Sequence, residues 1–309
     1  MVTYSTKEEC LKAIETVKVM GMDPLPWMLT QLEAFEKEEQ QKAHAHNTDT
    51  PIWDTLKSNY PYGTMPEEKT FCIESTVEQL LSTDEHAEEP GLLLGKIQCG
   101  KTDTFEGIIG LAFDKGVDIA IVITKGTKAL VNQTIKRMKN DYRWFKASDS
   151  LEQPVTIEIY DIMAISKMGL RQAIVESSKI VIVCKKQAAN LTRLIDLFEH
   201  KSPFLKKKKV VIVDDEADFA SRNYQSVKLK AESGDQETQG NKGLQMAKIS
   251  QQIDDFRRVP DFCRYLQVTA TPYCLYLQPD GELNLNGNIV KPFKPRFTSI
   301  VPTHSAYIG

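Results

Sequence analysis

Long apolar runs are missing from this 309-residue sequence. No stretch approaches the roughly 18 to 20 residues of a membrane-spanning helix. The opening Met1-Val2-Thr3-Tyr4-Ser5-Thr6-Lys7 lacks the basic-then-apolar order of a secretory signal. A soluble, cytoplasmic protein is therefore expected. Histidine is scarce, at five residues, and the six cysteines (10, 72, 99, 184, 263 and 274) are scattered with no C-x-x-C pair. Neither a zinc-ligand spacing nor a disulfide framework fits, so the cysteines read as reduced thiols. No internal repeat is visible. A strong excess of one charge is also absent, the net value being −3.

What is there is 41% apolar and 26% charged, enough to build a large core and too apolar for a disordered tail. The near-neutral total hides an asymmetry. Residues 1–90 hold 7 Lys+Arg against 18 Asp+Glu, a balance of −11, and the remaining 219 carry +8. The second part can therefore present a face to a polyanion, while the first stays solvated or meets a protein.

Leu11, Ile14 and Val17, then Met28, Leu32 and Phe35, recur at spacings of three and four, which predicts helices in an accessory region over residues 1–88. The polar stretch 38–47, followed by Pro51, Pro61, Gly63 and Pro66, reads as a connecting region. A second region, 89–309, alternates short β-branched runs with helical patterns. Strands are expected at 91–94, 119–123, 155–160, 180–184, 210–213 and 265–268, with helices after the first two. Continuous buried strands alternating with helices predict an α/β fold with a mainly parallel sheet covered on both faces. Residues 223–243, rich in Lys, Glu, Gln, Ser and Gly, read as a mobile surface loop.

Between the first strand and its helix lies Gly95-Lys96-Ile97-Gln98-Cys99-Gly100-Lys101-Thr102, which fits G-x-x-x-x-G-K-[ST]. Gly95 and Gly100 let the backbone curl so that its N–H groups, those of Gln98 and Cys99 included, face phosphate oxygens at a helix N-terminus. Lys101 would reach the β- and γ-phosphates of ATP, and the Thr102 hydroxyl would ligate Mg²⁺. Downstream, Val210-Val211-Ile212-Val213 runs into Asp214-Asp215-Glu216-Ala217-Asp218, a strand ending in carboxylates. A parallel sheet brings such an end to the same edge as the phosphate loop. Asp215 is assigned to the metal, with Asp214 as competitor, and Glu216 to the base that deprotonates water. The strand ending in Gln267-Val268 continues into Thr269-Ala270-Thr271, a pair of hydroxyls that gains meaning only beside the other two motifs.

Residues 91–309 resemble the first RecA-like lobe of superfamily-two helicases, with the phosphate loop, Asp215-Glu216-Ala217-Asp218 and Thr269-Ala270-Thr271 in the expected order. Gln98, Gln133-Thr134 with Arg137, Asp214 to Ser221, Pro272 and Tyr307-Ile308-Gly309 extend this to the Z-one domain, a family of endonuclease-associated bacterial ATPases. The resemblance implies a P-loop ATPase acting on DNA in restriction or phage defence, with a partner nuclease or other defence protein. It implies that Thr269 and Thr271 couple hydrolysis to movement, and that nucleic acid runs over Lys125, Gly126, Thr127 and Lys128, and over Lys185 and Lys186. Cys99 replaces the family's usual serine, harmlessly, because the backbone N–H makes that contact. A second lobe with its arginine finger is not visible after Thr269, so the chain is expected to be a fragment with weak activity of its own. The competing reading is an ATP-gated switch that controls a nuclease without translocation.

Overall fold

A computed structural model of the chain describes residues 4, 6–19, 23–45, 49–84, 88–97, 99–125, 127–145, 155–218, 240–276, 283–285, 288–290 and 294–303. Helices lead: α1 (Lys7–Val19), α2 (Pro26–Ala45), α3 (Pro51–Ser58) and α4 (Glu67–Leu81) precede β1 (Gly91–Leu94). Alternation follows, through α5 (Lys101–Asp114), β2 (Ile119–Thr124), α6 (Lys128–Asp141) and β3 (Thr156–Asp161). Next come the short α7 (Ile162–Ile165) and α8 (Gln172–Ser177), then β4 (Ser178–Lys185), α9 (Ala188–Asp196) and β5 (Lys209–Asp215). The last stretch holds α10 (Gly240–Arg257), β6 (Phe262–Thr269), α11 (Tyr273–Tyr276), the hairpin β7 (Leu283–Leu285) and β8 (Asn288–Val290), and β9 (Phe297–Ile300).

Seven strands form one sheet in the order β3-β4-β2-β5-β6-β1-β9, and every pairing in it is parallel. The α/β class with a parallel sheet is thus as the sequence predicts. The central strands are buried on both faces, and successive residues enter opposite cores. Ala120, Val122, Val211 and Val213 join a cluster with α4 and α5. Ile119, Ile121, Ile123, Val210 and Ile212 join another, with α9 and α10. That two-residue alternation between two apolar layers explains why these strands read as unbroken β-branched runs.

Two expectations change. The polar stretch 38–47 is not wholly a linker, because α2 continues to Ala45. Pro51 opens α3 rather than interrupting structure, since proline's missing N–H costs nothing in a first turn. The expected loop 223–243 lies outside the described residues up to 239, and its last residues begin α10 at Gly240. The leading helices share a core with the first elements of the sheet region: Ile52, Trp53, Ile73, Val77 and Leu80 pack in the cluster that contains Leu93, Phe105 and Ile109. Close approach of α3 and α4 to α5 relies on Gly107 and Gly110, where an added Cβ would lie 2.7 Å from Ile73 Cδ1 and 2.5 Å from Leu56 Cδ1. The edge strand β9 and the β7–β8 hairpin escape the sequence reading, being only three or four residues long.

Candidate functional site

The loop expected to hold phosphate connects β1 to α5. Gly100 holds φ +86° as the residue before α5, a left-handed conformation that favours glycine. Gly95 is required by space, because a Cβ there would lie 2.6 Å from Cys99 Sγ and 2.8 Å from Lys101 Cγ. Lys101 folds back on its own loop, its Nζ donating to the carbonyls of Gly95 at 3.1 Å and Lys96 at 2.7 Å. Gln98 lies outside the described residues.

One strand, β6, separates β1 from β5, and its register aligns all three motifs: Leu94 pairs with Thr269, and Asp215 with Val268. The acid motif therefore lies two strand spacings, about 10 Å, from the phosphate-loop strand. Between them a cavity of about 440 Å³ is lined by Thr102, Asp215 and Glu216, with Thr124 and Lys125 from the end of β2. Its far wall is α6, through Leu130, Gln133, Thr134 and Arg137. A hydroxyl, a carboxylate and room for phosphate oxygens and water are the donor set that suits Mg²⁺. Among the described residues no group of three or more His, Cys, Asp or Glu could hold a metal by itself.

The carboxylates of the acid motif have different surroundings. Asp214 is buried, 2.6 Å from the Lys186 ammonium, with side chains 2% and 0% exposed. It also accepts a 2.7 Å hydrogen bond from the Tyr265 hydroxyl, whose own proton is held by burial and by the Asp214 charge, well above the usual phenol range. Asp214 is thus held in the core between Lys186 and Tyr265, and Lys186 is buried with it rather than standing on the exposed sheet edge. Its Nζ instead donates to the carbonyls of Asp215 and Glu216, both at 2.9 Å.

Asp215 borders the cavity. Burial raises its carboxyl above the ordinary range, Lys186 pulls it back, and Glu216 and Asp214 push it up again. A divalent cation alongside would favour the ionised form. Glu216 is exposed, adopts φ +53°, and pairs through Oε2 with Lys125 Nζ at 3.2 Å. Asp218 accepts from both threonines of the third motif, Thr269 Oγ1 and Thr271 Oγ1 each at 2.7 Å. The acid motif and the Thr-Ala-Thr turn are thus joined through one carboxylate.

Of the expected nucleic-acid residues, Lys125 lines the cavity, while Thr127 and Lys128 stand exposed at the start of α6, where the Thr127 hydroxyl accepts from Leu130 N–H. Lys185 ends β4 opposite Thr124 on the same sheet edge. Gly126 lies outside the described residues.

One contributor was missed. Lys69 on α4 is buried, 3.5 Å from Asp103 Oδ2 and 3.3 Å from the Tyr60 hydroxyl, and its Nζ is 3.5 Å from where a Cβ would stand on Gly100. Arg137 pairs with the same Asp103 and approaches Glu106 at 3.6 Å and Asp141 at 3.7 Å. Burial, then Asp141, holds the Glu106 carboxyl well above its usual range. Lys69 follows Glu67 and Glu68 in an acidic region, and only the packing of α4 on α5 reveals its target.

No family model matches the chain, and no curated protein does. Solved structures do. The DUF1998 helicase MrfA bound to DNA and AMPPNP is similar with a TM-score of 0.42 and 13% identity, over 71% of this chain and 26% of that one. The helicase domain of Hef from Pyrococcus furiosus gives a TM-score of 0.34 and 17% identity, over 65% and 34%. The chain thus spans about a quarter to a third of the length of these proteins. The similarity to helicase domains is distant, and no specific family is identified. Among the described residues no helix is long and apolar enough to cross a membrane.

Proposed function

We propose that this chain is a helicase-like ATPase lobe that hydrolyses ATP with Mg²⁺ and acts on DNA. The observation that carries the reading is the convergence of Thr102, Asp215 and Glu216 on one cavity, from the carboxyl-end connections of β1 and β5, two strands separated by a third. Thr102 and Asp215 would hold Mg²⁺, which would neutralise phosphate charge there when bound. Lys101 exchanges its loop carbonyls for the β- and γ-phosphates. Glu216 orients a water in line with the γ-phosphorus and takes its proton as the bond to the bridging oxygen breaks. Thr269 and Thr271 report the state of the acid motif through Asp218. Lys125, Thr127, Lys128 and Lys185 offer sequence-independent phosphate contacts along the same edge. A role beside a nuclease in bacterial restriction or phage defence rests on the Z-one resemblance.

Lys101→Ala should abolish ATP binding, and Glu216→Gln should retain binding and stop turnover, both read by nucleotide-binding and phosphate-release assays with and without DNA. Normal hydrolysis by either variant overturns the assignment. The switch reading is favoured by one observation, the Lys101 ammonium already satisfied by its own loop. Slow hydrolysis indifferent to DNA would select it.

A further inference from the structure

The Lys125–Glu216 ion pair is imposed by the sheet. β2 and β5 pair with Ile123 opposite Asp214, so two residues further on Lys125 stands opposite Glu216. The Glu216 backbone has little freedom to leave: the Lys186 ammonium grips its carbonyl and that of Asp215, and the next N–H, of Ala217, donates to Val268 O at 3.0 Å. What is left to Glu216 is its side-chain torsions, and its carboxylate pairs with Lys125 at the rim of the cavity that both residues line. Lys125 in turn stands where that cavity meets the exposed Thr127 and Lys128. The two side chains are about half exposed, so their pairing is weak and open to competition from another anion.

We propose that Lys125 is a positioning residue that latches Glu216 in the resting protein and releases it when the lysine engages a nucleic-acid phosphate. A phosphate docked beside Lys125 and Lys128 draws the ammonium away, the carboxylate turns to the attacking water, and hydrolysis accelerates. The proposal rests on Glu216 being the general base. It makes the first strand–helix loop beyond the phosphate loop a coupling element rather than a simple DNA contact.

The test is steady-state ATP hydrolysis by the full chain and its Lys125→Met and Lys125→Arg variants, with single-stranded and duplex DNA oligonucleotides as probes. Lys125→Met should raise unstimulated kcat about two- to fivefold, the range an exposed ion pair can hold back, with KM for ATP unchanged. Its further stimulation by DNA should fall towards onefold. Lys125→Arg should restore low basal turnover and stimulation together. A Lys125→Met variant with lower basal kcat overturns the proposal, making the lysine a support of catalysis. So does unchanged basal kcat with only a higher DNA requirement, which makes it a DNA contact alone. Wild-type hydrolysis that DNA does not stimulate also overturns the latch while leaving the ATPase reading intact. Absence of hydrolysis with intact ATP binding defeats both.

Discussion

Replacing Lys186 with methionine removes the ammonium beneath the acid motif while keeping its stem. In the folded protein that ammonium neutralises Asp214 at 2.6 Å and donates to the carbonyls of Asp215 and Glu216. Without it, Asp214 stays buried as a charge whose remaining partner is the Tyr265 hydroxyl. Breaking a buried pair from one side costs about 3–5 kcal/mol, most of it the desolvation of the abandoned partner. A domain holds about 5–15 kcal/mol in total. Each kcal/mol moves the Tm of a domain of this size by about 2–4 °C, so Lys186→Met should melt about 6–20 °C below wild type. The double variant Lys186→Met/Asp214→Leu removes both charges and leaves neutral groups, the Asp215 and Glu216 carbonyls and the Tyr265 hydroxyl, to lose a partner, so it should recover at least half of the loss. Thermal unfolding by circular dichroism, with urea titration beside it, measures both. A single variant that melts with wild type, or a double variant that melts below the single one, would refute the assignment of this pair as a mutually dependent unit.

Burial lifts the Asp114 carboxyl from 3.8 to about 6, although the Ile52 and Trp53 N–H groups that it accepts from pull the other way. Because the folded value lies above the unfolded one, the folded state binds more protons between roughly pH 4 and 6, and this group's contribution grows as pH falls through that window. The wild-type minus Asp114→Asn difference in urea stability should therefore shift in favour of wild type by about 1 kcal/mol from pH 7 to 4.5, after discounting for partial exposure. A difference that stays flat with pH refutes it. Gly107→Ala should cost about 1–3 kcal/mol by forcing Ile73 and Trp53 away from α5, and a trimming partner change, Ile73→Val, should return part of that loss in the same unfolding assay.

The strands of the α/β domain were legible because each central strand is buried on both faces, which demands a continuous β-branched run. Gly95, Gly100, Lys101 and Thr102 were legible because the spacing itself encodes a turn, a helix start and a charge. The bounds of α2 and α3 were not, since Glu, Gln and Lys read alike on a solvated helix and in a linker, and Pro51 starts a helix as readily as it ends one. The edge strand β9 is too short to carry a period of its own. What makes it a strand is the row of groups that β1 presents, with Gly91 paired to Phe297 and Leu94 to Ile300.

By itself, then, the sequence determined the class of fold, the glycine-bearing turn between β1 and α5 and the order of the three motifs, because local periodicity, glycine placement and strand-end carboxylates are written along the chain. Tertiary structure alone decided which charges meet. Lys125 and Lys186 each lie one residue beyond a strand end, after Thr124 and Lys185, and looked equivalent, yet one opposes Glu216 at an open edge and the other is sealed against Asp214. Asp214 and Asp215 are neighbours in sequence, but the alternation of a strand sends one into the core and the other to the cavity. Lys69 reaches the phosphate loop only because α4 packs on α5. The chemistry of a charge is set by what surrounds it, and those surroundings come from residues 30 to 90 positions away.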